Sequence, residues 1–167
     1  MAYEFYVTIE GTTQGAFKGE SPRKAHTAKL SGLSYNHEIK SPRDIATGQA
    51  SGKRQHAPIR VSKEWGAASP QLFQALCTNE VLTKVLFEFY KTTREGKEEC
   101  YHTITLTDAT ISQIRYMTGA GLDSAGTSKT TSAHDTHELE EIAFTYRRIE
   151  AESKTGQTMA MDDWTET

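Results

Sequence analysis

From Tyr3 to Ile9 the apolar residues Tyr3, Phe5, Val7 and Ile9 alternate with Glu4, Tyr6 and Thr8, the period-two pattern of a strand with one buried face. A polar segment punctuated by Gly11, Gly15 and Gly19 follows and reads as a loop. Between His26 and His37 a second extended stretch carries Leu30, Leu33 and Tyr35. The step from 30 to 33 breaks alternation, so a bulge is expected at Gly32. A third strand runs from Ile59 to about Trp65, with Ile59, Val61, Lys63 and Trp65 on one side. Ser69 as a cap, Pro70 in the first turn and a stripe of Leu72, Phe73, Leu76 and Cys77 predict one short helix. The pattern then returns to β over Thr83 to Thr92, Glu99 to Met117 and Leu139 to Ile149, with a hairpin turn at Thr93 to Lys97. In the long middle segment the apolar phase runs Ile104, Leu106, then Ala109, Ile111, then Ile114, Tyr116. Two one-residue slips call for bulges, or for a bend where one strand crosses between sheets.

The elements add up to a mainly β fold, a sandwich or small barrel with one helix closing an end. The stretch 40–58 resists that scheme: it has one large aliphatic residue, Ile45, and five basic residues against one acid. It has almost nothing with which to build a core, and connections this long in compact domains are often functional. The polar run from Gly119 to Asp135 reads as a flexible loop, and residues 153–167 as a flexible tail. An antiparallel sheet this incomplete leaves edges, which identical subunits can cover.

Composition narrows the classes. At 167 residues the chain fits one domain, able to bury roughly 68–70% of its unfolded surface without staples. A net charge of −3 and a pI near 6.1 argue against a nucleic-acid surface or a basic membrane anchor. No window approaches the ~20 apolar residues of a bilayer span, and no membrane insertion is expected. Cys77 and Cys100 cannot form a dense disulfide scaffold. Glu4 stands where a secretory leader needs basic residues, so no cleavable leader is read and synthesis is expected to end in the cytoplasm.

Candidate chemistry is sparse. Gly48 to Gly52 followed by Lys53 and Arg54 has three intervening residues where a phosphate loop needs four, and Arg54 replaces the magnesium-binding hydroxyl. His134, Asp135, His137 and Glu138 are the densest set of potential metal ligands, the basis of an alternative reading as a metal-dependent hydrolase. A solvated strand start is the plainer reading, because on a strand the two histidines point to opposite faces. His26, His37, His56 and His102 read as isolated surface or hydrogen-bonding residues, and Cys77 as an inert core thiol. Asp162, Asp163 and Trp164, two acids beside an aromatic, suit docking to a partner with a basic groove. No catalytic residue, metal site or cofactor is assigned.

The run Ile9-x-Gly11-x-x-Gln14-Gly15-x-x-Lys18-Gly19-Glu20-Ser21, then Ser41-Pro42-Arg43-Asp44 through Thr47-Gly48-Gln49-x-x-Gly52-Lys53-Arg54-Gln55-His56-x-Pro58, and Ser69-Pro70-x-Leu72-x-x-Ala75-Leu76 resembles the haemolysin-coregulated protein (Hcp) family. The likeness continues through Thr103-Ile104-x-Leu106-x-x-Ala109-x-Ile111-Ser112, Phe144-x-Tyr146-Arg147-x-Ile149 and Asp162-Asp163-Trp164, and so covers nearly the whole chain. Lys63-Glu64-Trp65-Gly66 departs from the family pattern. The resemblance implies a single domain over 1–167: a small two-sheet β-barrel with one short flanking α-helix and a long extended loop. It implies homo-hexameric rings that stack into a hollow tube, assembled in the cytoplasm inside a contractile sheath, capped by a spike protein and ejected, with effectors carried in the lumen. It implies no enzyme activity and no cofactor. In such a tube the loop reaches the neighbouring ring, giving Arg43, Asp44, Lys53, Arg54 and Gln55 polar partners. The solvent face of a sheet lines the lumen, where Ser34 and Asn36 are expected.

Overall fold

The computed structural model describes residues 3–118 and 138–165. In chain order the strands are β1 (Tyr3–Gly11), β2 (Gly15–Ala16), β3 (Leu30–Gly32), β4 (Ser34–Asn36), β5 (Ile39–Lys40), β6 (Gln55–His56), β7 (Ile59–Glu64), β8 (Leu82–Thr92), β9 (Glu98–Met117), β10 (Leu139–Thr145), β11 (Arg148–Ser153) and β12 (Thr158–Asp163). Among the described residues one helix, α1 (Ser69–Cys77), lies between β7 and β8, and a 3-10 turn, Lys24–His26, precedes β3. The antiparallel order is β2-β1-β8-β9-β10-β7-β4, with β3 on β1 and the β11–β12 hairpin on β9. The order does not close on itself. Its two ends are instead bridged by one chain segment, because β3 pairs with β1 and β4, one residue later, pairs with β7.

The alternation read in β1 buries Phe5, Val7 and Ile9, but Tyr3 at the strand start is exposed and Tyr6 is buried on the other face. The cause is His26, whose ring stacks on Tyr6 with centroids 4.1 Å apart. The anticipated break at Gly32 falls where β3 gives way to β4. A Cβ there would sit 2.0 Å from the Phe5 ring, so only glycine lets the chain pass. The core joins Phe5, Val7 and Ile9 to Ile59, Val61, Val85, Phe87, Leu106, Ile142 and Phe144, with Leu72 and Ala75 of α1 closing one side.

The two phase slips in β9 resolve differently: the first, before Ala109, falls at a change of partner, and the second, between Ile111 and Ile114, is a bulge at Ser112 within the pairing to β10. Residues 98–109 pair with β8 and 102–107 also with β11, whereas 110–117 pair with β10. The pivot is Asp108, at φ 51°, whose carboxylate accepts from Arg147 Nε at 2.9 Å.

Several expectations need correction. Ser69 does not cap α1. It is the first helical residue, and the free amide of Ala68 is met by the Glu20 carboxylate at 2.7 Å. Leu72 and Ala75 form the buried stripe, leaving Phe73 and Cys77 exposed, so Cys77 is not a core thiol. Lys63 is buried with its strand neighbours, held 2.5 Å from Glu140 and 2.9 Å from Glu20. Trp65, just past the strand, is exposed. Residues 158–163, read as flexible tail, form β12 in register with β11. The stretch 40–58 is the long extended loop expected, with its stem paired as a two-stranded ladder of β5 and β6.

Candidate functional site

The feature that sets this shell apart is the arm between β5 and β6. Its stem pairs Ile39 with His56 and Lys40 with Gln55, and a bridge between Arg43 and Ala50 continues the ladder outward. The tip is rigidified by one side chain. Asp44 Oδ1 accepts the amides of Ala46 at 2.7 Å and Thr47 at 3.1 Å, an Asx turn. Gly48 takes φ +72°, a left-handed conformation that suits glycine. Ile45 at this tip is fully exposed.

The base is held by a polar clasp. Tyr146 follows β10, and its hydroxyl lies 3.0 Å from His37 Nε2 and 2.8 Å from His56 Nδ1, so one phenol joins both legs of the arm. His56 Nε2 is 2.6 Å from Asp162 Oδ2 on β12. Arg54 reaches the same oxygen through Nε at 2.5 Å and donates to the Asp163 carbonyl at 2.9 Å. Lys53 Nζ donates to the Trp164 carbonyl at 3.4 Å, and the Trp164 ring leans on His56 with centroids 5.4 Å apart. Arg147 ties Asp163 to the pivot of β9 through a 2.8 Å ion pair.

The direction of the hydrogen bonds follows from charge. The Arg54 hydrogen bond, with that of His56, holds the Asp162 carboxyl below its ordinary range, so Asp162 is an acceptor and His56 Nε2 carries a proton. Burial pushes the Tyr146 phenol up to about 12, which keeps it protonated. With the Nε2 proton of His56 donated in the hydrogen bond to Asp162, its Nδ1 accepts from the Tyr146 hydroxyl, and the phenol oxygen accepts in turn from His37 Nε2–H. Burial, with the neighbouring His56, holds His37 below the usual imidazole value, which favours this neutral arrangement. A Tyr-His-Asp chain has the connectivity of a catalytic triad, but the phenol sits between two imidazoles and is buried, so its oxygen is not presented to a substrate. The arrangement fixes a limb in place.

The residues singled out from sequence fall as follows. Arg54 is in the clasp, Gln55 is in the stem ladder, Asp44 shapes the tip, and Arg43 and Lys53 are exposed along the arm. Asp162, Asp163 and Trp164 meet the arm of their own chain. Ser34 and Asn36 point to solvent while Tyr35 between them packs on the core. His134, Asp135 and His137 lie outside the described residues. Glu138 is exposed, and its carbonyl accepts the Trp65 amide at 3.2 Å. Among the described residues no three His, Cys, Asp or Glu side chains are grouped to hold a metal, and no helix is long and apolar enough to cross a membrane. Tyr146 escaped the sequence reading because an aromatic in a strand pattern reads as core. The available signal was a pair of histidines, His37 and His56, placed at either leg of a basic loop.

A β-shell whose polar side chains converge on anchoring an outward arm defines a structural assembly domain. Comparison supplies the family. The chain matches the family model described as type VI secretion system effector, Hcp, over residues 6–152. It is 37% identical to the major exported protein of Pseudomonas aeruginosa, over 98% of this chain and 96% of that one. A crystal structure of an Hcp protein superposes with a TM-score of 0.87 at 28% identity, covering 99% of this chain and 100% of the other. The secreted protein Hcp3 from Pseudomonas aeruginosa does so at 0.74 and 30% identity, over 98% and 99%. The chain belongs to the Hcp family. It is a type VI secretion tube subunit, a structural and secreted protein rather than an enzyme, and the hydrolase alternative has no support.

Proposed function

We propose that the chain closes into hexameric rings which stack into a hollow tube through the clasped arm. The tube is assembled in the cytoplasm inside a contractile sheath, capped by a spike, and exported, with effector proteins carried in its lumen. The observation that carries this reading is the arm itself. It is an ordered hairpin with an exposed tip, anchored at its base by Tyr146, His37, His56, Arg54 and Asp162. A limb held this firmly, with Arg43 and Ile45 turned to solvent, suits contact with a neighbouring ring.

The clasp refines which of the five loop residues act across the ring boundary. Arg43 lies outward for such contacts, whereas Asp44, Lys53, Arg54 and Gln55 also make contacts within their own chain. Ser34 and Asn36, exposed on β4, are proposed for the luminal face and its effectors. Asp162 to Trp164 combine the clasp with a docking surface for a partner of the tube. Lateral contacts of standard size bury about 800 Å² per partner, and heterologous faces close into a ring or continue as a filament.

The test replaces residues 43–52 with a short glycine linker, leaving Arg54 and His56 in the clasp. Native mass spectrometry is expected to give hexamers, and electron micrographs to show single rings where the parent protein stacks. Stacks of parental length would reject the role of the arm, and a monomer at high concentration in the parent protein would reject the ring.

A further inference from the structure

We propose that Ile45, at the arm tip of one copy, seats in the groove formed by Trp65, Gly66, Ser69, Pro70, Phe73 and Tyr116 of a second copy in the next ring. This inference rests on the stacking role of the arm and names the receiving site. The groove is aromatic and unfilled. Trp65 and Tyr116 meet edge to face at 6.0 Å, and Phe73 turns outward because Leu72 and Ala75 take the buried side of α1. Trp65, Phe73 and Tyr116 are respectively 44%, 53% and 44% exposed, and three large aromatics lining one hollow are an interaction surface rather than scattered exposure.

Position selects the occupant. β7 begins at Ile59, just after the arm, and ends at Glu64, just before Trp65. Its antiparallel neighbour β10 sets Leu139 and Met117 beside the Glu64 end, where Tyr116 joins the groove, and Phe144 beside the Ile59 end, where Tyr146 holds the arm. The arm base and the groove therefore lie at opposite ends of a six-residue strand, about 20 Å apart at 3.3 Å per residue. A knob at one end and a hollow at the other form a heterologous pair, which propagates from copy to copy instead of closing into a twofold dimer.

Charge agrees with the pairing. Glu64 and Glu138, both exposed, flank Trp65, whereas the outer part of the arm presents the exposed guanidinium of Arg43 two residues from Ile45. Opposed fields of this kind orient an approaching surface and fix its register. Ile45 has the geometry of an anchor: an apolar side chain, fully exposed, on a turn made rigid by Asp44.

The experiment compares Ile45→Asp and Phe73→Glu with the parent and with the arm-shortened protein. Both positions are exposed, and unchanged melting verifies each fold. Each single change is expected to weaken each tip-to-groove contact about ten- to a hundred-fold, the worth of burying one large apolar side chain, and because every copy in a ring carries the change, stacked rings are expected to be lost. In addition, Ile45→Cys combined with Cys100→Ser is treated with a short bismaleimide in stacked material. The introduced thiol is expected to link to Cys77, one helical turn beyond Phe73, between isotopically distinct copies, and Phe73→Glu is expected to abolish the link. Parental stacking by Ile45→Asp and Phe73→Glu, or stacks without a linkage to Cys77, would overturn the inference. If the arm-shortened protein also stacks normally, the underlying reading fails with it. If that protein stays as single rings, only the choice of groove is wrong.

Discussion

Tyr146→Phe isolates the clasp, because it deletes one oxygen and leaves the aromatic packing in place. The ring still meets His37 and His56 edge on, so no cavity forms. Two hydrogen bonds disappear, those to His37 Nε2 and His56 Nδ1, each worth ~0.5–1.5 kcal/mol net. The expected loss is therefore about 1–3 kcal/mol, and at 2–4 °C per kcal/mol for a domain of this size the midpoint should fall by about 2–12 °C. His56 keeps its bond to Asp162, so the arm should loosen rather than detach. The assay is urea unfolding at fixed protein concentration, combined with amide hydrogen exchange. The stem amides, including Ala57, which donates to the Glu38 carbonyl at 3.0 Å, should lose more protection than the strands of β8 and β9. Equal protection of the stem in both proteins would refute the idea that Tyr146 holds the arm.

Further outcomes follow from other parts of the fold. Lys63→Met leaves Glu140 and Glu20 facing each other without their shared ammonium. It should cost about 3–5 kcal/mol in denaturant unfolding, with part recovered when Glu140→Leu is added; a loss below about 1 kcal/mol would count against a buried ion pair. Gly32→Ala forces a methyl into the Phe5 ring and should cost ~1–3 kcal/mol, relieved by Phe5→Leu if that contact is the cause. Stability should fall with acid in two stages. His37 and His26 both have folded values held below 6.5, chiefly by burial, so the unfolded chain binds more protons and stability declines as pH drops from about 6.5 through those lower values. Asp162, held below 3.8 first by Arg54, contributes stability above that pH that is lost as pH falls through its folded value. Urea midpoints between pH 7.5 and 3 check this, and His37→Gln should shrink the first stage at the arm stem.

The sequence pattern was most informative where a segment has one clear face toward the core. The alternation around Phe5, Val7 and Ile9 and the two slips in β9 both correspond to observed strands, the slip before Ala109 because a strand that changes partner must shift the residues it turns inward, the slip after Ile111 because an extra residue bulges out of the ladder with β10. Long-range polar contacts were not legible. His56 and Asp162 are 106 positions apart, and no periodicity links them. The buried side of α1 was misjudged because α1 packs through the small Ala75 rather than the larger Phe73. Lys63 was read on the correct side of β7 for a core residue, yet its ammonium required two acids from remote elements. The clasp was hidden in the same way: its histidines looked solitary until folding brought Tyr146 between them.

β9 runs for 20 residues without a covalent or helical interruption, roughly 66 Å of backbone path at 3.3 Å per residue. Among the described residues it is the one strand that belongs to both halves of the shell, gripped by β8 and β11 along its first part and by β10 along its second. Tension applied across the two halves is carried by its peptide bonds, and separating them would require shearing many ladder bonds at once instead of unzipping a single seam. A secreted tube subunit benefits from such a tie-rod.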